Sequence, residues 1–100
     1  MNMESIREDK TLNVSLAETL DISGVQNLHA EIQAALDSGA PVTLHGSAVE
    51  RVDTAALQVL VALFIYANGH QGKLEMQSPS EALVHSAMLL GMAGHIGLNN

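Results

Sequence analysis

The segment Val52-Asp53-Thr54-Ala55-Ala56-Leu57 places a carboxylate and a hydroxyl directly before a long apolar run. This order predicts a loop that becomes a helix at about Thr54, since Asp and Thr both favour helix N-termini. The first N–H groups of a helix lack partners within it and the macrodipole is positive there, so this helix start can accept an anion. A reversible phosphate on Thr54 is therefore a chemically reasonable switch.

The composition describes one small acidic domain. The chain has 100 residues and 47% apolar content, enough for a single core. Its formal net charge is −7, from 4 basic and 11 acidic residues. Nucleic acids and anionic lipid surfaces are held by clustered Lys and Arg, so this balance argues against both as partners. A protein partner with a basic patch suits it better.

The sequence also indicates a cytoplasmic location. There is no Cys, which excludes disulfides, thiol nucleophiles and thiolate metal sites. Residues 1–10 are rich in charge and have no apolar stretch, unlike a secretory signal. The apolar run over 55–67 is shorter than the roughly 20 residues that cross a bilayer. We therefore expect no direct membrane insertion.

Strand and helix patterns alternate along the chain. Apolar residues at every second position predict a strand over 12–16, and further short strands are predicted at 42–44 and 73–77. Apolar residues at spacings of three and four predict an amphipathic helix that Asp21 or Ser23 caps. Its buried stripe comprises Val25, Leu28, Ile32 and Leu36, and Gly39 is the expected C-terminal cap.

Two further helices are predicted. The second covers 54–68 and is apolar nearly all round, so one face meets the sheet. The opposite side, comprising Gln58, Ala62, Ile65 and Tyr66, is either core or a docking face for a partner or a second copy. For the third helix, Ser78 is the expected cap, Pro79 the first helical residue and Glu81 the end of a capping box. Its inward residues are Leu83, Ala87 and Leu90, and it stops at Gly91.

The resulting fold class is α/β, with a mixed, mostly parallel β-sheet and about three to four α-helices packed on it. Residues 11–98 form the domain, and residues 1–10 are either a loosely ordered segment or an edge strand.

In this order of elements, residues of about 11 to 98 resemble a STAS domain, the fold of bacterial anti-sigma factor antagonists. Family members typically show an apolar residue, Asp, Ser or Thr, a small residue, Gly, and then an aliphatic helix. The segment over 49–60 follows that pattern, and Leu90-Gly91-Met92 with Ile96 is similar to the family's final helix and its stop. Two positions depart from it: Ala56 takes the usual Gly position, and His45 lies where many relatives have Asp.

The resemblance implies a non-catalytic signalling switch. Thr54 would be the phosphoacceptor for an anti-sigma-type Ser/Thr kinase or a related histidine-kinase-family regulator, and the unphosphorylated form would bind that partner. The expected contact residues are Asp53, Ala55, Ala56, Gln58, Ser23 and Ser47. The resemblance also leaves open a STAS subunit of a lipid-transport ABC ATPase complex and a chemotaxis-linked adaptor.

Purely structural roles are an alternative for the same residues. Asp53 and Thr54 both suit a helix cap, which is compatible with a switch, and Ser23 and Ser47 suit a cap or a turn. The five His residues lack the spacing of a metal site, and neither a cofactor motif nor a catalytic constellation is recognisable. We therefore expect no enzyme activity, no cofactor and no metal.

Overall fold

The computed structural model describes residues 4–8, 11–68 and 73–97. The elements in chain order are β1 (Glu4–Glu8), β2 (Thr11–Ser15), β3 (Thr19–Leu20), α1 (Ile22–Asp37), β4 (Val42–His45), β5 (Arg51–Val52), α2 (Thr54–Asn68), β6 (Leu74–Gln77), α3 (Glu81–Leu89) and a closing 3₁₀ helix (Ala93–Ile96). The α/β class and the alternation of strands and helices are confirmed.

The main sheet has the strand order β1-β2-β4-β6. β2, β4 and β6 are parallel, with Leu12 opposite Val42 and Val42 opposite Leu74, while β1 is antiparallel to β2 at the edge. A mixed, mostly parallel sheet is therefore confirmed. The boundary between residues 1–10 and 11–98 stays a prediction, because residues 9 and 10 lie outside the described ranges.

A second sheet of two short parallel strands sets the positions of the helix starts. β3 pairs with β5, with Leu20 opposite Val52, and each strand leads directly into a helix. The N–H of Asp53 donates to the Leu20 carbonyl at 2.9 Å, which extends this pairing to the first turn of α2. The N-termini of α1 and α2 consequently lie side by side, and the two helices pack against each other.

The predicted stripe of α1 is confirmed, since all its members are buried: Val25, Leu28, Ile32 and Leu36. Asp21 is the N-cap, and its Oδ1 accepts from the Gly24 N–H at 2.8 Å, so Ser23 falls inside the first turn with an exposed side chain. Gly39 follows the helix with a φ of 84°, a left-handed conformation that suits glycine.

α2 has the predicted bounds and one buried face. Leu57, Leu60 and Phe64 lie in the core, whereas Ile65 is 54% exposed. On the opposite side Gln58, Ala62 and Ile65 are exposed and Tyr66 is half-buried. This side is therefore not part of the core, and its role as a docking face stays a prediction. The Tyr66 hydroxyl donates to Oδ1 of Asp37 at 2.5 Å and joins the far ends of α2 and α1.

The predicted start of α3 is wrong. Ser80 is the N-cap, and its Oγ accepts from the Leu83 N–H at 3.1 Å, so the helix begins at Glu81 rather than at Pro79. The reason is a long-range contact: the Ser80 N–H donates to the Gly46 carbonyl at 3.0 Å, which keeps this segment beside the end of β4. Ser78 therefore lies outside the helix, with a φ of 50°.

The predicted end of α3 is partly wrong. Leu83 and Ala87 are buried, as expected, but Leu90 is 40% exposed. The helix ends at Leu89, so Leu90 is its C-cap and no longer follows the helical spacing inward. Gly91 has a φ of 70° and turns the chain towards the 3₁₀ helix, whose Ile96 is fully buried.

Candidate functional site

The Asp53-Thr54 turn is the junction between β5 and α2. The Asp53 carbonyl accepts from the Leu57 N–H at 3.0 Å, and Oδ1 of Asp53 accepts from the Ala55 N–H at 2.8 Å. Asp53 is therefore the N-cap and Thr54 the first helical residue. The Thr54 side chain is exposed, so a hydroxyl is presented to solvent at the point where the helix begins.

The neighbouring helix start brings a second predicted site residue to this edge. Because Leu20 pairs with Val52, the capping residue Asp21 lies beside the capping residue Asp53. Ser23 is exposed in the first turn of α1, next to that cap. Sequence spacing alone could not join Ser23 to the α2 start, since the short β3–β5 pairing that does so has no periodic signal.

Ser47 lies in the exposed turn after β4. The loop it belongs to is held at both ends. The Gly46 N–H donates to the Gln77 carbonyl at 3.0 Å, and the Glu50 N–H donates to the Glu18 carbonyl at 2.7 Å. Backbone hydrogen bonds thus connect the Ser47 loop to the loop before β3. The structure brings the segments of Ser23, Ser47 and Asp53 to one region.

One predicted contact residue is wrong. Ala56 is 0% exposed and belongs to the core, so its side chain cannot contact a partner. The helical turn explains this, because Ala56 and Leu57 face the protein interior whereas Ala55 and Gln58 face solvent. The methyl group at the position where the family pattern has Gly is accordingly part of the packing.

His45 ends β4 and is half-buried. Its Nε2 lies 3.0 Å from Oδ1 of Asn13, which pairs with the residue two positions earlier on β4. This diagonal pair places a hydrogen bond between an imidazole and an amide where the family pattern has a carboxylate. The partnership joins residues 32 positions apart, so no local pattern in the sequence points to Asn13.

A small cavity of about 120 Å³ adjoins Thr54 and is lined by Val52, Thr54, Ser86, Leu89 and Leu90. We call it the Thr54 pocket. It exists because the C-terminal part of α3 packs beside β5, immediately before the α2 start. Sequence reasoning missed Ser86 and Leu89, and it assigned Leu90 to the core. Helical spacing carries no information about which neighbour covers the last turn of a helix.

A metal site and a membrane-spanning helix are both absent from residues 4–8, 11–68 and 73–97. These residues contain no group of three or more His, Cys, Asp or Glu that could hold a metal ion. No helix in the same ranges is long and apolar enough to cross a bilayer.

The family model described as "Mlab, STAS domain" matches residues 4–98. The chain belongs to this STAS family. No curated protein sequence matches this chain significantly. Several solved structures do.

The anti-sigma factor antagonist SpoIIAA in its unphosphorylated form has a TM-score of 0.75 at 16% identity, covering 92% of this chain and 83% of that chain. The phosphorylated form of SpoIIAA, a Bacillus cell fate determinant, has a TM-score of 0.72 at 16% identity, covering 92% of this chain and 86% of that chain. An anti-sigma factor antagonist from Mycobacterium paratuberculosis has a TM-score of 0.66 at 19% identity, covering 93% of this chain and 80% of that chain. At these identities the comparison shows the anti-sigma factor antagonist fold.

Proposed function

We propose that this STAS domain is a non-catalytic bacterial signalling switch that binds a regulatory protein kinase and is released when Thr54 is phosphorylated. The observation that supports the proposal is the exposed Thr54 hydroxyl at the first position of α2, beside the capping carboxylate of Asp53. A kinase needs a hydroxyl that it can reach and a local backbone that holds it still, and this position offers both. The similarity to SpoIIAA, solved in phosphorylated and unphosphorylated forms, makes the same modification worth testing here.

Phosphate at Thr54 would change the local charge sharply. A phosphothreonine carries about −1.5 to −2 charges at pH 7, and it would stand next to Asp53 and near Glu50. It would also compete with Asp53 for the Ala55 N–H, which that carboxylate already occupies at 2.8 Å. An apolar contact made by a partner at Thr54 would then be lost, because the phosphate must stay solvated.

The proposed contact surface comprises the exposed residues around the α2 start: Ser23, Ser47, Asp53, Ala55 and Gln58. Its partner is a Ser/Thr kinase of the anti-sigma type or a related histidine-kinase-family regulator. Since such a kinase uses cytoplasmic ATP, we propose that the switch operates in the cytoplasm. The exposed side of α2 at Ile65 would be available for a homodimer in the same state.

The decisive experiment is phosphate transfer. The purified chain is incubated with the candidate kinase and ATP, and its intact mass is measured for wild type, Thr54→Ala, Ser23→Ala and Ser47→Ala. We expect one added phosphate in wild type and in both serine variants, and none in Thr54→Ala. Transfer to a serine with Thr54 unmodified would move the switch elsewhere, and no transfer by any cognate kinase would end the proposal.

A second candidate is a constitutive STAS subunit of a lipid-transport ABC ATPase complex. Two observations favour it: the matching family model is the Mlab STAS model, and both His45 and Ala56 depart from the anti-sigma antagonist pattern. In that role Thr54 would be an unmodified contact residue. Co-purification of an ATPase in fixed stoichiometry, with no phosphate on Thr54 in the isolated complex, would favour this candidate over the kinase partner.

A further inference from the structure

We propose that the Thr54 pocket receives one aliphatic side chain from a basic segment of the partner protein. This inference rests on the proposed function only in taking the partner to be a protein that contacts the α2 start. The pocket itself is a feature of the fold. For the proposed switch, the inference specifies the chemistry of the partner segment that docks at the pocket.

The size and lining of the pocket suit an aliphatic group. Its volume is about 120 Å³, and an apolar cavity of about 150 Å³ holds a benzene molecule, so a single leucine-sized side chain is the appropriate occupant. Val52, Leu89 and Leu90 supply apolar walls, while Thr54 and Ser86 contribute hydroxyls. Leu89 is 73% exposed, which leaves a large apolar side chain uncovered beside the opening.

The chain segments that carry Val52 and Thr54, and the segment paired with them, are acidic. Val52 and Thr54 alternate with Arg51 and Asp53, and Glu50 precedes them. The same loop region is hydrogen-bonded through the Glu50 N–H to Glu18. The exposed charged residues within 18–21 and 50–54 are Glu18, Asp21, Glu50, Arg51 and Asp53. Carboxylates outnumber cations in these segments, as they do in the whole chain, so a segment with Lys or Arg beside its aliphatic residue is favoured.

The position of Thr54 in the wall would make the pocket sensitive to phosphate. A phosphate on that hydroxyl would occupy part of the same small volume and exclude the aliphatic side chain. Attraction between the phosphate and the partner's cations acts in the opposite direction. Exposed ion pairs change affinity by roughly fivefold or less, whereas a buried leucine changes it by about tenfold or more. Because a segment with serine in place of the aliphatic residue carries the same cations, loss of the apolar contact should show as loss of the preference for the aliphatic residue.

The test uses the chain of 100 residues and defined peptides. Acetyl-RKLRK-amide is titrated into isotope-labelled protein, with acetyl-RKSRK-amide and acetyl-EELEE-amide as matched controls for the aliphatic residue and for charge. Chemical shifts of the Leu89 and Leu90 methyl groups and of the Thr54 amide report on the pocket. We expect the leucine peptide to bind about tenfold more tightly than the serine peptide and the acidic peptide not to bind.

Two protein variants provide a matched comparison. Leu89→Ser removes an exposed leucine of the pocket, and Ile65→Ser removes another exposed aliphatic residue, on α2, that does not line it. Of these two variants, only Leu89→Ser should abolish the advantage of the leucine peptide. Ser86→Leu, which fills the pocket from within, should do the same while leaving Leu89 in place.

Equal affinities for the leucine and serine peptides would overturn the inference, as would an advantage that survives Leu89→Ser and Ser86→Leu. Self-association that perturbs the pocket methyl groups without peptide would assign the pocket to a second copy of the chain instead. The assay needs neither kinase nor ATP. Its failure would leave phosphorylation of Thr54 unaffected, and failure of phosphate transfer would leave the peptide result in place.

Discussion

Replacing Asp53 tests whether the site is built on a helix cap. In Asp53→Ala the Ala55 N–H loses its acceptor at 2.8 Å, and the helix start loses a carboxylate next to its positive end. Loss of such a cap costs about 1 kcal/mol, within a range of roughly 0.5–2 kcal/mol. In a domain of this size that corresponds to a drop in Tm of about 4–8 °C for each kcal/mol. Asp53→Asn keeps an acceptor, so it should lose only a few tenths of a kcal/mol, about the value of the charge at an exposed helix end.

The matched control is Asp21→Ala, since Asp21 caps α1 by accepting a hydrogen bond of the same length, 2.8 Å, from the Gly24 N–H. Urea unfolding followed by circular dichroism should show similar losses for the two alanine variants. If Thr54 is the phosphoacceptor, its phosphorylation rate should fall further in Asp53→Ala than in Asp21→Ala. Unchanged stability in Asp53→Ala, or an equal loss in Asp53→Asn, would refute the assignment of Asp53 as an energetically significant cap.

Two further substitutions test the packing of α2. Leu57→Asp should prevent folding, because the Leu57 side chain is 0% exposed and an unpaired buried charge costs more free energy than the stability of a small domain. The control Gln58→Asp, on the exposed side of α2, should fold normally. A cooperative unfolding curve for Leu57→Asp would contradict this prediction. The hydrogen bond to Asp37 raises the pKa of Tyr66, so its stabilising effect is present below the ordinary pKa of tyrosine and is lost as pH rises through the raised value. The stability difference between wild type and Tyr66→Phe should therefore shrink above about pH 10, and a pH-independent difference would argue against the hydrogen bond as its source.

The two candidate functions make different demands on the same surface. A phosphoswitch needs Thr54 accessible in the free protein, and the exposed first position of α2 provides that. A constitutive subunit needs a permanent apolar contact, for which Leu89 and Ile65 are exposed. Both substitutions to Ser described above therefore also inform the choice, because a permanent interface should be weakened whether or not Thr54 is modified.

The sequence by itself determined the parts of this protein that depend on local repetition. Apolar spacing placed the buried stripe of α1, because a helix that buries one face must repeat its apolar residues every three to four positions. The start of α2 followed from Asp53 and Thr54, since both residue types favour helix N-termini. The same reasoning, with the resemblance to STAS domains, indicated Thr54 at a helix start. These features lie within one element, so neighbouring residues suffice to specify them.

Tertiary structure decided what depends on contacts between distant segments. The cap of α3 is Ser80 and not the predicted Ser78, because the Ser80 N–H donates to the Gly46 carbonyl. Leu90 lies outside the core because α3 ends one residue earlier than predicted. The partnership of His45 with Asn13, and the wall that α3 adds beside Thr54, likewise join residues far apart in the chain. Such pairings follow from the register of strands and the packing of helix ends, and neither leaves a periodic pattern in the sequence.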